Sequence, residues 1–239
     1  MTASAATAAD VRTLMRGWIN DARVAQGLVG FRAWDDLDAL ATTRAGRIAA
    51  TATLSHAAAG GNCGDALTAA GIPWSWYGEA LGMSRATFGE VSARQIFDLW
   101  MGSGPHRDIL LSPVDNYVGV GVAVASDGST WMSLVATESP DHTPPVATNV
   151  SLVRSGTTLT FTWRGTDPLL QTHTAGIRSY DVHVRRGSNA WWVGANDTTS
   201  TKLVLTNRPH GYWFSFRVQA ADRRGTLSPW TSAMRIWVP

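Results

Sequence analysis

At 239 residues the chain exceeds the usual span of one domain, and 44% hydrophobic with 16% charged residues excludes wholesale disorder. A formal net charge of +2, with no dense Lys/Arg run, offers no electrostatic track for nucleic acid. Cys63 is the only cysteine, which excludes an intrachain disulfide and a thiolate metal cluster.

Met1-Thr2-Ala3-Ser4 has neither a cationic n-region nor an apolar h-region, so it does not read as a signal peptide. Either a cytosolic start or a mature secreted chain fits it. Val11, Leu14, Met15, Trp18 and Ile19 then recur at helical spacing. Thr7 and Asp10 have the spacing of a capping box, and Gly27 suits the residue past the helix end. A second helix is predicted from Asp35 or Asp36, burying Leu37, Leu40, Ala41, Ala45 and Ile48. A short third one passes through Ala66, Leu67 and Ala70 to Gly71 and Pro73. A fourth is expected to open at the capping box Ser92-Ala93-Arg94-Gln95, bury Ile96, Leu99 and Trp100, and stop at Gly102, Gly104 and Pro105.

The period then changes to 2, the strand repeat. Val118, Val120, Val122 and Val124 alternate with Gly119, Gly121 and Ala123, and Asp127-Gly128 turns the chain into a partner strand from Trp131 to Thr137. Small residues on one face predict that a helix or a ligand comes close to the sheet there. The longest apolar stretches, such as Val118 to Ala125, are too short to span a membrane. Residues 139–145, Ser-Pro-Asp-His-Thr-Pro-Pro, are the strongest punctuation in the chain. Beyond them the runs are short and strand-like. Leu159, Phe161 and Trp163 share a face, as do Tyr180, Val182 and Val184, then Leu203 and Leu205, then Phe214, Phe216, Val218 and Ala220. Such runs over about a hundred residues predict a β-sandwich.

No HExxH, GxSxG, phosphate-loop or dinucleotide fingerprint occurs. The candidate polar residues of the first half are His56, Glu79 and His106, each beside an element boundary. Periodicity alone does not join them. Glu79, in Tyr77-Gly78-Glu79-Ala80, must be paired or open to a cleft, because its neighbours are apolar. Ser103 and Ser55 stand near histidines, which leaves a serine nucleophile as an alternative to turn-capping hydroxyls. Nothing apart from Glu79 offers an orienting carboxylate.

Leu54-Ser55-His56, Gly78-Glu79, Leu99-Trp100-Met101-Gly102-Ser103-Gly104-Pro105-His106-Arg107 and Val118-Gly119-Val120-Gly121 occur in an order that resembles the CAP superfamily. These are the SCP-like cysteine-rich secretory, antigen 5 and pathogenesis-related proteins. The likeness extends to Asn20-Asp21-Ala22-Arg23, Gly27-Leu28 and Trp34-Asp35, and covers about residues 8–138. The missing disulfide cysteines resemble the bacterial branch. The resemblance implies an α+β fold, a three-layer α-β-α sandwich with a central cleft. His56, Glu79, Ser103 and His106 would line it, and His56, Glu79 and His106 would be positioned to hold a divalent metal such as zinc. Three departures stand out. Ser103-Gly104-Pro105-His106 replaces the family's serine-proline-glycine-histidine. Ala80 follows Gly78-Glu79 where the family has asparagine. Ser103 stands where animal and plant members carry a second carboxylate. One acid fewer implies weaker metal binding.

Residues 146–239 resemble a fibronectin type III domain. Trp163 and Tyr180 occupy the places of its strand tryptophan and tyrosine, and Phe214 stands where that family's corner tyrosine would be. Residues 139–145 are then the linker. Trp191-Trp192, Tyr212-Trp213 and Trp237 are more aromatics than one core needs, so some are candidates for sugar or protein contact. Together the resemblances imply an extracellular or envelope-associated binding protein, neither nucleic-acid-binding nor membrane-spanning. Its cleft would take a small-molecule, lipid or envelope ligand, and its C-terminal module would serve adhesion or spacing. The alternative is a metal-assisted or serine hydrolase acting on peptides or envelope polymers.

Overall fold

The structure is a computed structural model describing residues 6–239, so the reading of Met1 to Ser4 lies outside the described residues. Two compact units result: one runs to Pro140 and includes Leu170–Thr172, and the other comprises Asp141–Leu169 and His173–Pro239.

The first unit opens with α1 (Ala8–Ala25), whose Thr7 and Asp10 form the reciprocal capping box and whose Val11, Met15, Ile19 and Arg23 are buried. Its end is a full Schellman motif: Gly27 N–H donates to the Val24 carbonyl and Leu28 N–H to that of Arg23, with Gly27 at φ +75°. A two-residue strand, β1 (Arg32–Ala33), leads into α2 (Asp35–Thr51), whose first turn carries Asp35, Asp36 and Asp38 against the positive end of the helix. Then come α3 (Cys63–Ala69), β2 (Trp76–Ser84), α4 (Glu90–Gly102), α5 (Gly104–Leu110), β3 (Tyr117–Val124) and β4 (Thr130–Glu138).

The strands form one sheet in the order β1-β3-β4-β2, antiparallel except for β1 beside β3. One face packs Val118, Val120, Val122, Met132 and Leu134 against α1 and α4. The opposite face lies under α2 and α3, where Tyr117 and Val135 meet Leu37, Ala41, Cys63 and Leu67. This is the three-layer α-β-α sandwich. The small residues of β3 admit a helix: a Cβ on Gly119 would stand 2.1 Å from the backbone of Leu37, and one on Gly121 2.0 Å from that of Ala41.

Three local features differ from the sequence expectation. Helix α4 starts at Glu90, so Ser92 is not its N-cap but its third residue, with its hydroxyl bonded back to Gly89. Leu99 is exposed rather than inward. The stop at Gly104-Pro105 instead opens α5, because proline in a first helical turn forfeits no hydrogen bond and already has helical φ.

The second unit is all β. Strands β5 (Val146–Ser155), β6 (Thr158–Thr166) and β9 (Lys202–Leu205) make one sheet, in the order β5-β6-β9. Strands β7 (Ile177–Arg186), β8 (Trp192–Thr198), β10 (Tyr212–Asp222) and β11 (Met234–Val238) make the other, in the order β11-β10-β7-β8. Between them Leu159, Phe161, Trp163, Tyr180, Val182, Val184, Phe214 and Phe216 form the core, in the alternation the sequence shows. This is an immunoglobulin-like sandwich of two facing antiparallel sheets. Phe214 is 1% exposed, so the corner position is filled by apolar packing alone.

Candidate functional site

Glu79 sits in β2 with its neighbours Gly78 and Gly82 turned to α5 and α4, where added Cβ atoms would meet Ile109 and Ile96. The strand's two-residue period therefore aims Glu79 at the α2 face. A carboxylate buried there needs a partner, and α2 supplies one. Arg44 lies on the apolar stripe of that helix with Leu37, Ala41, Ala45 and Ile48, and its side chain is 0% exposed. Its Nε donates to Glu79 Oε1 and its Nη2 donates to Oε2 at 2.7 Å. Nη2 also reaches the Gly61 carbonyl at 2.8 Å. Burial depresses the acidity range of a guanidinium, but the hydrogen bonds and charge of Glu79, with Cys63 and Tyr77 nearby, hold Arg44 above its ordinary pKa.

Between α2 and α3 the chain makes tight turns that deliver His56. Ala52 ends α2 in the left-handed region at φ 48°. Ser55 Oγ accepts the Ala58 N–H at 3.1 Å, and Gly61 N–H donates to the His56 carbonyl at 2.9 Å. The His56 Nδ1 lies 2.7 Å from Glu79 Oε2, with the imidazole side chain 61% exposed. The carboxylate that accepts both guanidinium bonds also accepts here, so Nδ1 is the donor, and on a neutral ring Nε2 is the remaining acceptor. Ser133 Oγ of β4 donates the remaining bond, 3.2 Å to Oε1. Glu79 thus accepts two bonds from Arg44 and one each from His56 and Ser133.

A cleft of about 800 Å³ opens beside this array, between the α2–α3 turns and the start of β2. His56 and Glu79 line it together with Asn62, Trp74, Trp76 and Tyr77. Trp74 meets Tyr77 edge-on at 4.9 Å, and its indole N–H donates to Thr68 Oγ1 at 3.2 Å. Tyr77 donates its hydroxyl to Asn62 Oδ1 at 3.1 Å. Trp76 is 61% exposed. Cys63 also borders the cleft, but burial and the charge of Glu79 push its thiol up to about 12, so it is no thiolate at neutral pH. The near residues of β2 separate this cleft from a second hollow of about 540 Å³ bordered by Ile109 and Asp115.

The expected quartet is only partly assembled. His106 is the third residue of α5, half-buried, and feels His56 electrostatically: burial first, then the charge of His56, lowers its pKa. Ser103 caps α5 from between the two helices, without a side-chain cap bond. Neither borders the large cleft. The metal set His56, Glu79 and His106 does not fit a resident zinc ion. Every acceptor direction of the carboxylate is already taken, and a dication there would stand against the Arg44 guanidinium. Two imidazoles remain, short of the three protein ligands of a catalytic zinc centre. Among the described residues no three His, Cys, Asp or Glu side chains are grouped to hold a metal.

Arg44, Ser133 and the aromatic wall are absent from the residues singled out in the sequence. A signal for Arg44 was there, a charge at a core position of an amphipathic helix. So was one for the wall, the run Pro73-Trp74-Ser75-Trp76-Tyr77. Ser133 has none, because an alternating strand hides a single hydroxyl.

The family model described as cysteine-rich secretory protein family (CAP) matches residues 17–136. No curated protein matches the sequence. Among solved structures, the chain is similar to an outer surface protein from Borrelia burgdorferi, with 16% identity and a TM-score of 0.50 over 59% of this chain and 100% of that one. At that identity the likeness shows a shared fold. An extracellular protein containing an SCP domain from Bacillus anthracis str. Ames matches at 17% identity and TM-score 0.46, over 57% of this chain and only 45% of its own. An Fn3-like protein from Clostridium thermocellum matches at 22% identity and TM-score 0.29, over 40% of this chain and 94% of that one.

Proposed function

Because the chain belongs to the cysteine-rich secretory protein (CAP) family, we propose that it is an extracellular or envelope-associated binding protein, its ligand seated in the cleft beside His56. The ligand-binding module is taken as residues 8–138, and residues 146–239, after a linker at 139–145, as the contact module. The observation that carries this reading is the His56–Glu79 bond, which leaves Nε2 as a lone acceptor at the edge of a cleft walled by Trp74, Trp76 and Tyr77. Such a wall favours a ligand with a flat apolar or sugar-like body, and Nε2 favours one hydroxyl or N–H donor on it. A small lipid, a sterol-like molecule or a glycan fragment has that chemistry.

The test is tryptophan fluorescence titration with panels of fatty acids, sterols and short glycans. A hit is expected to weaken at least tenfold in Trp76→Ala and in His56→Ala, about 1.4 kcal/mol or more. A ligand that binds both variants as it binds the wild type places the site elsewhere.

Hydrolysis is the second reading, and the same dyad supports it, since a carboxylate-bound imidazole is an oriented general base. A panel of peptides and esters compared between the wild type and His56→Ala separates the two. Turnover abolished by that substitution favours the hydrolase, and turnover unaffected by it removes the dyad from the chemistry.

A further inference from the structure

The outer face of the four-stranded sheet in the second unit carries a row of cations and indoles in two groups on either side of Ser215. The buried alternation of Val182 and Val184 in β7, of Phe214 and Phe216 in β10, and of Val238 in β11 turns the intervening residues outward. At one end His183 stacks on Trp230, with ring centroids 4.2 Å apart. The Arg217 guanidinium lies between two indoles, 4.6 Å from Trp230 and 4.4 Å from Trp191. Arg185 covers Trp191 at 4.7 Å. Next along β10 is Ser215, paired across the strands with Arg185 on one side and Arg235 on the other, and only 1% exposed. The row continues to Trp213, which Arg235 approaches at 5.1 Å, and to its cross-strand partner Trp237 at 5.7 Å. Arg217 to Trp213 is four residues of strand, roughly 14 Å.

A ladder of this kind stiffens a sheet, and that accounts for its intercalated half. It does not account for Trp213 and Trp237, which are 45% and 40% exposed. Nor does it account for the charge. Among the described residues none of Arg185, Arg217 and Arg235 forms an ion pair with a carboxylate. Asp181, two residues from His183 on β7, accepts the Asp197 N–H at 2.7 Å and acts electrostatically on His183. Arg217 Nη2 lies 3.3 Å from His183 Nδ1, whereas the guanidiniums of Arg185 and Arg235 have no hydrogen-bond partner among the described residues and leave N–H groups for a carboxylate or sulfate.

We infer that the outer face of the β11-β10-β7-β8 sheet, from Arg217 to Trp213 and Trp237, binds an anionic polysaccharide. The half-exposed indoles stack on sugar faces and the three guanidiniums take the acidic groups. This rests on the reading of the second unit as a contact module and names the class of polymer it contacts. Carbohydrate suits the face better than nucleic acid: three cations neutralise too few phosphates to hold a duplex, whereas two flat platforms and a few charges match a short acidic glycan.

The experiment is calorimetric titration of the full chain with polygalacturonate and with dextran sulfate, against neutral dextran and duplex DNA. Binding to at least one anionic glycan is expected, with a Kd at least ten times lower than for neutral dextran and for DNA. The polymer that binds says whether the acidic group is carboxylate or sulfate. Trp213→Ala/Trp237→Ala is expected to weaken binding at least tenfold, and Arg235→Gln, a surface change that leaves the core intact, about threefold with a shallower salt dependence. A fatty acid or sterol that binds the cleft should bind Trp213→Ala/Trp237→Ala as it binds the wild type, so failure here is separate from failure of the cleft reading. Equal binding of neutral dextran, preference for DNA, no binding at all, or affinity unaltered in Arg235→Gln and the double variant would overturn the assignment.

Discussion

Arg44 and Glu79 form an ion pair in which both side chains are almost fully buried, so each is the other's substitute for water. Arg44→Met is therefore expected to cost about 3–5 kcal/mol, because it strands an ionised carboxylate under α2. Chemical denaturation checks this, and a loss below about 1 kcal/mol would mean that the pair is not dry. Arg23 shows the opposite solution: wholly buried, it spends its N–H groups on the carbonyls of Val29, Leu110, Ser112 and Asp115. The Asp115 carboxyl beside it is less well served. Burial, offset in part by Ser112 and Arg23, raises it from 3.8 to about 6, and its Oδ1 has no partner among the described residues. Its raised pKa means that the folded state holds a proton that the unfolded state has released between those two values. Stability is then lost as pH rises through that window. Asp115→Asn should stabilise the protein at pH 7.5 by about 3 kcal/mol or less, with the gain gone by pH 3.5. Thermal unfolding of both proteins at the two pH values reads this directly. At this scale the sequence exposed His56 and Glu79 through the motifs around them, but their true partner sits 35 residues from Glu79 on another element. No spacing rule connects Arg44 to Glu79; only the packing of α2 on the sheet does.

The elements repeat the lesson in a coarser form. Helices α1 and α2 and the β3–β4 hairpin were legible because each carries its own period, cap or turn. Strand β2 was not read as a strand, since Trp76-Tyr77-Gly78-Glu79-Ala80 mixes polar and apolar residues for a reason external to itself. One face holds the ion pair and the other meets α4 and α5. Nor was α5 foreseen, because glycine and proline signal a break before they signal a helix start. The glycines of β3 did predict a close neighbour, and α2 is that neighbour. Gly121→Ala should consequently cost about 3 kcal/mol or more, since its Cβ would meet backbone rather than a movable side chain. Urea unfolding tests it, and a near-neutral result would mean that α2 can shift freely on the sheet. The cleft's own elements also set the metal expectation. His56 lies in the α2–α3 turns and His106 in α5, with Glu79 between them given over to Arg44. Calorimetry at pH 7 should find no stoichiometric zinc uptake. One equivalent, lost in both His56→Ala and His106→Ala, would show that Arg44 yields its carboxylate.

For the whole molecule, the order of an α+β unit and a β-sandwich was readable because the two halves obey different periods on either side of a proline-rich stretch. Each unit has its own core, and Phe161 lies at the centre of the second, against Trp163 and Phe216 at 5.3 Å. Phe161→Ala should lower the stability of that unit by about 3–5 kcal/mol, measured by denaturant unfolding. What the sequence did not carry was where the functional chemistry concentrates: the family motifs are in place, but the array they build is organised by an arginine outside them. That array is the centre of the functional reading, and it makes one statement about a single proton. In the neutral His56 ring the bond to Glu79 assigns the proton to Nδ1, which leaves Nε2 as the acceptor of a side chain that lines the cleft. Nitrogen-15 NMR of the imidazole in the intact chain measures this. The account predicts the Nδ1–H tautomer in the wild type, with that preference weakened in Glu79→Ala. A ring protonated on Nε2, or a tautomer indifferent to Glu79, would contradict it.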